Sequence, residues 1–251
     1  MKVMGIVNVT PDSFSDGGRF FRPEEAVRRA RNLIAEGADI LDLGGESTRP
    51  GATPLAWNEE WSRLEPVLSQ LVADRRIDES ANRAVPVLSV DTYHPETAER
   101  ALAAGASMIN CVYEESVADM LRILEREAAR GRKDLGLVLP FRLSSSFSNS
   151  NLNSNSLTLY LDPMIGFGTT REEDVELLRS IAELKKHGRV LIGASRKRIV
   201  KKLIGEKTPG KDLAGNLAIV AWAHREGADA VRVHDVKETV QLLRVLDALS
   251  V

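Results

Sequence analysis

Met4-Gly5-Ile6-Val7-Asn8-Val9-Thr10-Pro11-Asp12-Ser13-Phe14-Ser15-Asp16-Gly17-Gly18 holds the pattern that decides the fold of this chain. Val3, Met4, Ile6, Val7 and Val9 form an apolar run rich in β-branched residues, which reads as a buried strand. The run ends in a crowd of polar side chains, Asn8, Thr10, Asp12, Ser13, Ser15 and Asp16. The Gly17-Gly18 pair then permits positive φ and close backbone approach. A polar turn between a strand and a helix explains such a stretch in isolation. A loop that grips a polar ligand or a metal explains it better if the same pattern recurs.

It recurs along the whole chain. Residues 23–37 read as a helix, with Pro23 at a first-turn position, an apolar stripe of Ala26, Ala30, Leu33 and Ile34, and a stop at Gly37. The next strand, 38–43, runs into Gly44-Gly45-Glu46-Ser47-Thr48-Arg49-Pro50-Gly51, a second polar, glycine-rich loop. Helix 57–73 leads to strand 85–90, which stops at Asp91-Thr92. Helix 95–105 leads to strand 106–109 and Asn110-Cys111, and helix 117–131 to strand 135–139. Strand 157–161 stops at Asp162-Pro163 and is followed by helix 172–187. Strand 190–194 meets Ser195-Arg196-Lys197, and helix 213–227 precedes strand 230–233, which enters His234-Asp235. A last helix reaches residue 249.

Eight strands with few interior charges, separated by helices, belong in a parallel sheet wrapped by helices. A doubly wound sheet would satisfy the alternation but needs no polar ending on every strand. The expected fold is therefore α/β, a (β/α)8 TIM barrel, in a single domain over residues 1–251. One unit departs from the pattern. Residues 142–156 are dominated by Ser and Asn, without an apolar stripe, so the fifth helix is expected to be replaced by a flexible loop.

Composition sets the remaining bounds. A 43% hydrophobic, 28% charged chain with net charge −2 offers no electrostatic case for nucleic acid, so any anion site must be local. The single cysteine, Cys111, excludes an intramolecular disulfide and any multi-cysteine metal centre, and fits a reducing compartment. With no apolar run approaching membrane-spanning length, the expected location is the cytoplasm, with no membrane partner.

The chemistry lies at the strand ends: Asn8, Asp42, Arg49, Asp91, Asn110, Asp162, Lys197, Arg232 and His234. Singly, each has an ordinary use. Asp91 could cap the helix beginning near Pro95, Asp162 could open a turn, and a lone histidine is most often structural. Together, carboxylates, amides and cations gathered at one end of a barrel describe a site. Carboxylates and amides beside a lysine suit a planar heterocycle with alternating donors and acceptors. Asn8 with Arg232 and His234 suits a phosphate or diphosphate carrying Mg2+. The residues do not by themselves name the substrates.

The stretch from Met4 to Gly18 resembles the first signature of the dihydropteroate synthase family, and Leu41-Asp42-Leu43-Gly44-Gly45-Glu46-Ser47-Thr48-Arg49-Pro50-Gly51 resembles the second. Ser89-Val90-Asp91-Thr92, Ile109-Asn110, Asp162-Pro163 with Gly166-Phe167-Gly168, Ser195-Arg196-Lys197 and Arg232-Val233-His234-Asp235-Val236 continue the match in order. The resemblance implies condensation of p-aminobenzoate with 6-hydroxymethyl-7,8-dihydropterin diphosphate in folate synthesis, on a (β/α)8 barrel that commonly forms a homodimer. It assigns Asp91, Asn110, Asp162 and Lys197 to catalysis in the pterin pocket, with Asp42 nearby. Asn8 goes to Mg2+, Arg232 and His234 to the diphosphate, and Thr48, Arg49 and Phe14 to loops around p-aminobenzoate. The implied mechanism is dissociative and needs no covalent protein nucleophile.

The chain departs from the family pattern in four places. Cys111 stands where an Asp is usual, Pro140-Phe141-Arg142 where His-Met is, Met164 where the Gly of Asp-Pro-Gly is, and Arg198 where a Ser is. With the missing fifth helix, they make a non-catalytic pterin-binding or partner-assembly paralogue the alternative. The related pterin-binding methyltransferases lack a use for the Asn8 loop and Thr48-Arg49.

Overall fold

A computed structural model describes residues 1–10, 23–46, 53–78, 86–142, 157–206, 208 and 210–249. Eight strands form a closed barrel in chain order: β1 (Lys2–Asn8), β2 (Ile40–Gly44), β3 (Val87–Asp91), β4 (Met108–Asn110), β5 (Leu135–Pro140), β6 (Leu157–Asp162), β7 (Arg189–Ile192) and β8 (Ala230–Val233). Every neighbouring pair is parallel, and β8 closes on β1 with Met4 opposite Arg232. The helices are α1 (Pro23–Glu36), α2 (Trp57–Asp78), α3 (Pro95–Ala104), α4 (Val117–Ala129), α5 (Arg171–Arg179), α6 (Ile181–Leu184), α7 (Arg198–Ile204), α8 (Leu213–Arg225) and α9 (Val236–Leu249).

The barrel is built on the two-residue period of a strand. Met4, Ile40, Met108, Val138, Tyr160, Leu191 and Ala230 pack together as one buried cluster. A second, larger cluster takes the alternate strand residues, among them Val3, Val7, Leu41, Leu43, Ile109 and Leu137, together with the inner faces of the helices. The inward set therefore continues upward along the same faces. Met4 leads to Ile6 and Asn8, Ile40 to Asp42 and Gly44, Tyr160 to Asp162, and Ala230 to Arg232 and His234. The barrel interior is apolar low down and polar at its carboxyl end, where enzymes of this architecture place their chemistry.

Strand positions agree with the sequence to within two residues, and β8 coincides with its expected limits. The helices differ in three places, the first being α2, which runs to Asp78 rather than ending at residue 73. Residues 172–187, expected as one helix, are α5 and α6, separated at Ser180. The Ser180 hydroxyl donates back to Leu177 O at 2.9 Å, which competes with helix propagation. The start of α5 is well marked, because Thr170 and Glu173 form a reciprocal capping box. Helix α7 had no counterpart in the sequence reading. It is only seven residues long and stops at Gly205, whose φ of 71° needs a glycine. Among the described residues no helix separates β5 from β6, and residues 143–156 lie outside them.

Candidate active site

Arg232, on the inner face of β8, organises the mouth of the barrel. Its Nε donates to Asp42 Oδ2 and its Nη2 to Asp91 Oδ2, each at 2.6 Å. Asp42 is fully buried and also accepts from the Ser89 hydroxyl (2.6 Å) and from Asn110 Nδ2 (3.0 Å). One carboxylate thus holds residues of β3, β4 and β8 in fixed relation, and its role in the geometry is that of an organiser.

The groups around it keep free valence. Asn110 uses its amide nitrogen on Asp42, while its Oδ1 is buried without a partner among the described residues. An acceptor left like this costs about 1–3 kcal/mol unless a donor arrives. Asp91 is raised to about 7, first by burial and then by Asp42 and Glu60, with Arg232 opposing. It does not cap α3; the N-cap there is His94, which makes no side-chain cap bond. Asp162 is buried and accepts the Met164 N–H at 2.7 Å, and burial raises its pKa despite Lys197 nearby.

Lys197 lies across from Asp162. Its Nζ donates to Ile165 O at 2.7 Å and sits 4.4 Å from the centre of the Phe167 ring. Burial lowers it to about 8, against the opposing pull of Asp162. Gly193 lies beside both charges. A methyl group there would sit 3.7 Å from Asp162 Oδ2 and 3.8 Å from Lys197 Nζ, so the glycine leaves the space between them open.

His234 completes the rim. Burial, with Arg196 and Arg232 beside it, lowers its imidazole to about 3, so the ring is neutral at working pH. Ser195 Oγ accepts the His234 backbone N–H (3.2 Å) and lies 3.1 Å from Nδ1. The simplest network has the hydroxyl donating to Nδ1, which puts the ring proton on Nε2 as a donor for an anion. A cavity of about 410 Å3 is lined by Asn8, Arg29, Arg196, His234 and Lys237 among others. Arg29 also donates to His234 O at 2.6 Å, tying α1 to the end of β8.

The sequence-expected set is therefore brought together for Asp42, Asp91, Asn110, Asp162, Lys197 and Arg232, with Asn8 and His234 at the adjoining cavity. Phe14, Thr48 and Arg49 lie outside the described residues. Sequence reasoning missed Ser89, Ser195 and Asn216, which hold other site residues. The signal for Ser89 was strand alternation, which puts it on the same face as Asp91. Asn216 Oδ1 accepts the N–H of Arg196, a non-glycine residue at φ 59°. No local pattern announces that contact.

Cys111, Phe141, Met164 and Arg198, from the unusual stretches, take defined places in the structure. Cys111 points away from the mouth, in the apolar layer between strands and helices, and its thiol donates to Tyr113 O. Burial raises it to about 11, so it is a neutral group. Phe141 is buried with its ring against His187, centres 5.6 Å apart. Met164 is buried at φ 62°, and Arg198 Nη2 donates to Thr169 O at 2.9 Å.

A (β/α)8 barrel with this charged, hydrogen-bonded layer at its strand ends is an enzyme scaffold that suits a flat polar ring beside an anion. The chain belongs to the pterin binding enzyme family, whose pattern matches residues 4–130 and 144–234. Its relatives are dihydropteroate synthases. That of Staphylococcus haemolyticus is 37% identical over 99% of this chain and 95% of its own length. The Xanthomonas albilineans enzyme with 4-aminobenzoic acid superposes with a TM-score of 0.81 at 37% identity, covering 99% of this chain and 93% of that one. The same enzyme in complex with 7,8-dihydropteroate gives 0.78 at 33% identity, covering 100% and 94%.

Proposed function

We propose that the barrel mouth condenses p-aminobenzoate with 6-hydroxymethyl-7,8-dihydropterin diphosphate, giving 7,8-dihydropteroate and diphosphate. The observation that carries this reading is the convergence of Asp91, Asn110, Asp162 and Lys197 beside Arg232, with His234 next to an anion-sized cavity. The unpartnered Asn110 Oδ1 accepts from the pterin, Asp91 and Asp162 accept its ring and amino protons, and Lys197 donates to a ring acceptor. Burial makes these bonds selective, since an analogue lacking one leaves a buried group unpaired.

Diphosphate departs with the electron pair of its C–O bond, and the methylene cation spreads its charge into the electron-rich pterin. The aryl amine nitrogen then forms the new C–N bond and loses a proton. Arg232 and the Nε2–H of neutral His234 stabilise the leaving diphosphate, while the nearby carboxylates favour the cationic centre. No side chain becomes covalently attached.

Mg2+ is the cofactor in this reading. Among the described residues no cluster of three or more His, Cys, Asp or Glu could hold a metal. That composition fits an ion held by the Asn8 side-chain oxygen, by substrate phosphate oxygens and by water, the habit of Mg2+ at phosphates. When bound, it would supply charge to the leaving group. Phe14, Thr48 and Arg49 enclose p-aminobenzoate, and the chain acts in the cytoplasm as a homodimer. The single buried Cys111 supports the reducing compartment.

The test is diphosphate release by the purified protein with Mg2+ and pterin diphosphate, with and without p-aminobenzoate. Release that depends on p-aminobenzoate and is lost in Asp91→Ala and Lys197→Ala is expected. A folded wild type that binds pterin without turnover would leave a pterin-binding paralogue instead.

A further inference from the structure

Lys197 is seated by a loop rather than by a strand, and that loop has its own buried fastening. Residues 162–169 run from the end of β6 to the start of α5. Ile165 gives the carbonyl that takes the Lys197 ammonium, and Phe167 gives the ring beside it. Gly166, at φ 79°, lies so close to the lysine stem that a methyl group on it would stand 3.1 Å from Lys197 Cδ. The Gly166 N–H is shared between Asp174 Oδ1 at 2.7 Å and Thr169 Oγ1 at 3.0 Å, and the Thr169 hydroxyl donates to the same Asp174 oxygen at 2.5 Å. Asp174 is 1% exposed and Thr169 4% exposed. A carboxylate buried on a barrel helix, with both bonds directed into one loop, is costly unless its placement matters.

We propose that Asp174 is a positioning residue for the pterin site. It fastens the 162–169 loop through Gly166 and Thr169, and thereby fixes the location and charge of Lys197 without touching substrate. The same loop carries Asp162, whose carboxylate accepts the Met164 N–H, so one fastening sets both members of the Asp162–Lys197 pair. Arg198 adds a second tie from α7 through Thr169 O. The charged groups facing Lys197 are Asp162 from β6, Arg232 from β8, Asp91 from β3 and Asp174 from α5. Of the three carboxylates, Asp162 and Asp91 are placed on the substrate, which leaves Asp174 as the one whose charge can be removed without altering a substrate contact. The proposal rests on the reading that Lys197 serves the pterin.

The experiment compares Asp174→Asn and Asp174→Ala with wild type in the full chain, by two readouts. One is the KM for pterin diphosphate at saturating p-aminobenzoate and Mg2+. The other is the NMR titration of the Lys197 side chain, assigned with Lys197→Arg, which needs no turnover. Removing the Asp174 charge favours the neutral amine, so the Lys197 midpoint is expected to fall below its wild-type value near 8 in both variants. The amide of Asp174→Asn keeps an acceptor for Gly166 and Thr169, so its KM rises less than that of Asp174→Ala, for which about a tenfold increase is expected, equivalent to roughly 1.4 kcal/mol. A purely structural role would lower the melting temperature and the active fraction, leaving KM and the titration unchanged. An unchanged Lys197 midpoint in Asp174→Asn, or an unchanged KM in a folded Asp174→Ala, overturns the proposal. If Asp174→Ala does not fold, the Asp174→Asn titration decides alone. Should the wild type release no diphosphate, the titration still tests the fastening while the catalytic reading fails separately.

Discussion

Arg232 and Asp42 are 190 residues apart in the chain and meet at 2.6 Å, Nε on Oδ2, where β8 and β2 flank β1. Asp42 is wholly buried and Arg232 is 19% exposed, so breaking the pair from the arginine side strands a buried carboxylate. Asp42→Ala is expected to lower stability by about 3–5 kcal/mol, because Arg232, Asn110 Nδ2 and the Ser89 hydroxyl all lose their acceptor. Urea unfolding checks this; a loss below about 1 kcal/mol would show that the three donors find other partners.

Turnover should follow a bell-shaped pH profile. Asp91, raised to about 7, must be ionised to accept from the pterin, so activity rises with pH through that region. Lys197, lowered to about 8, must be protonated to donate, so activity falls above it. The kcat/KM for pterin diphosphate across pH 5–10 reports both limbs. Asp91 also makes folding pH-dependent. Between its ordinary carboxylate range and about 7 the folded state binds more protons than the unfolded state, so this group's contribution to stability declines as pH rises through that window.

Asn216 is expected to matter for catalysis although it lies outside the mouth. It holds the N–H of Arg196, whose φ of 59° sets the direction of the adjoining Lys197. Asn216→Ala removes the acceptor and should cost about 1–3 kcal/mol in stability. Thermal unfolding and steady-state kinetics together check it: kcat/KM should fall, and Asn216→Asp, which keeps an acceptor oxygen, should recover part of it.

Chelation of Mg2+ should abolish diphosphate release without unfolding the protein, since in the proposed mechanism the ion serves the leaving group. Asn8→Ala should raise the Mg2+ concentration needed for half-maximal turnover while leaving pterin affinity nearly unchanged. Titrating activity with Mg2+ in both proteins separates these outcomes.

Much of this molecule was legible in its sequence. Eight apolar runs with polar ends pointed to a wrapped parallel sheet, and the strand-end positions already gathered Asp42, Asp91, Asn110, Asp162 and Arg232 at one mouth. Helix α7 and the break at Ser180 were not legible, because a seven-residue helix shows too few turns for a periodic pattern and a serine hydroxyl bond depends on local geometry.

What the chain alone determined was the alternation of strand and helix, the polar strand ends and the family they resemble, since these rest on local pattern and order. What only the tertiary structure decided was how the strand-end groups use one another. Closing the barrel puts Arg232 between Asp42 and Asp91, leaves one oxygen of Asn110 free, and sets Asp174 beneath the loop that holds Lys197. The Arg232 partnerships join residues 190 and 141 positions apart in sequence. Their hydrogen-bond directions and burial, which set the pKa of each group, exist only once the barrel has closed.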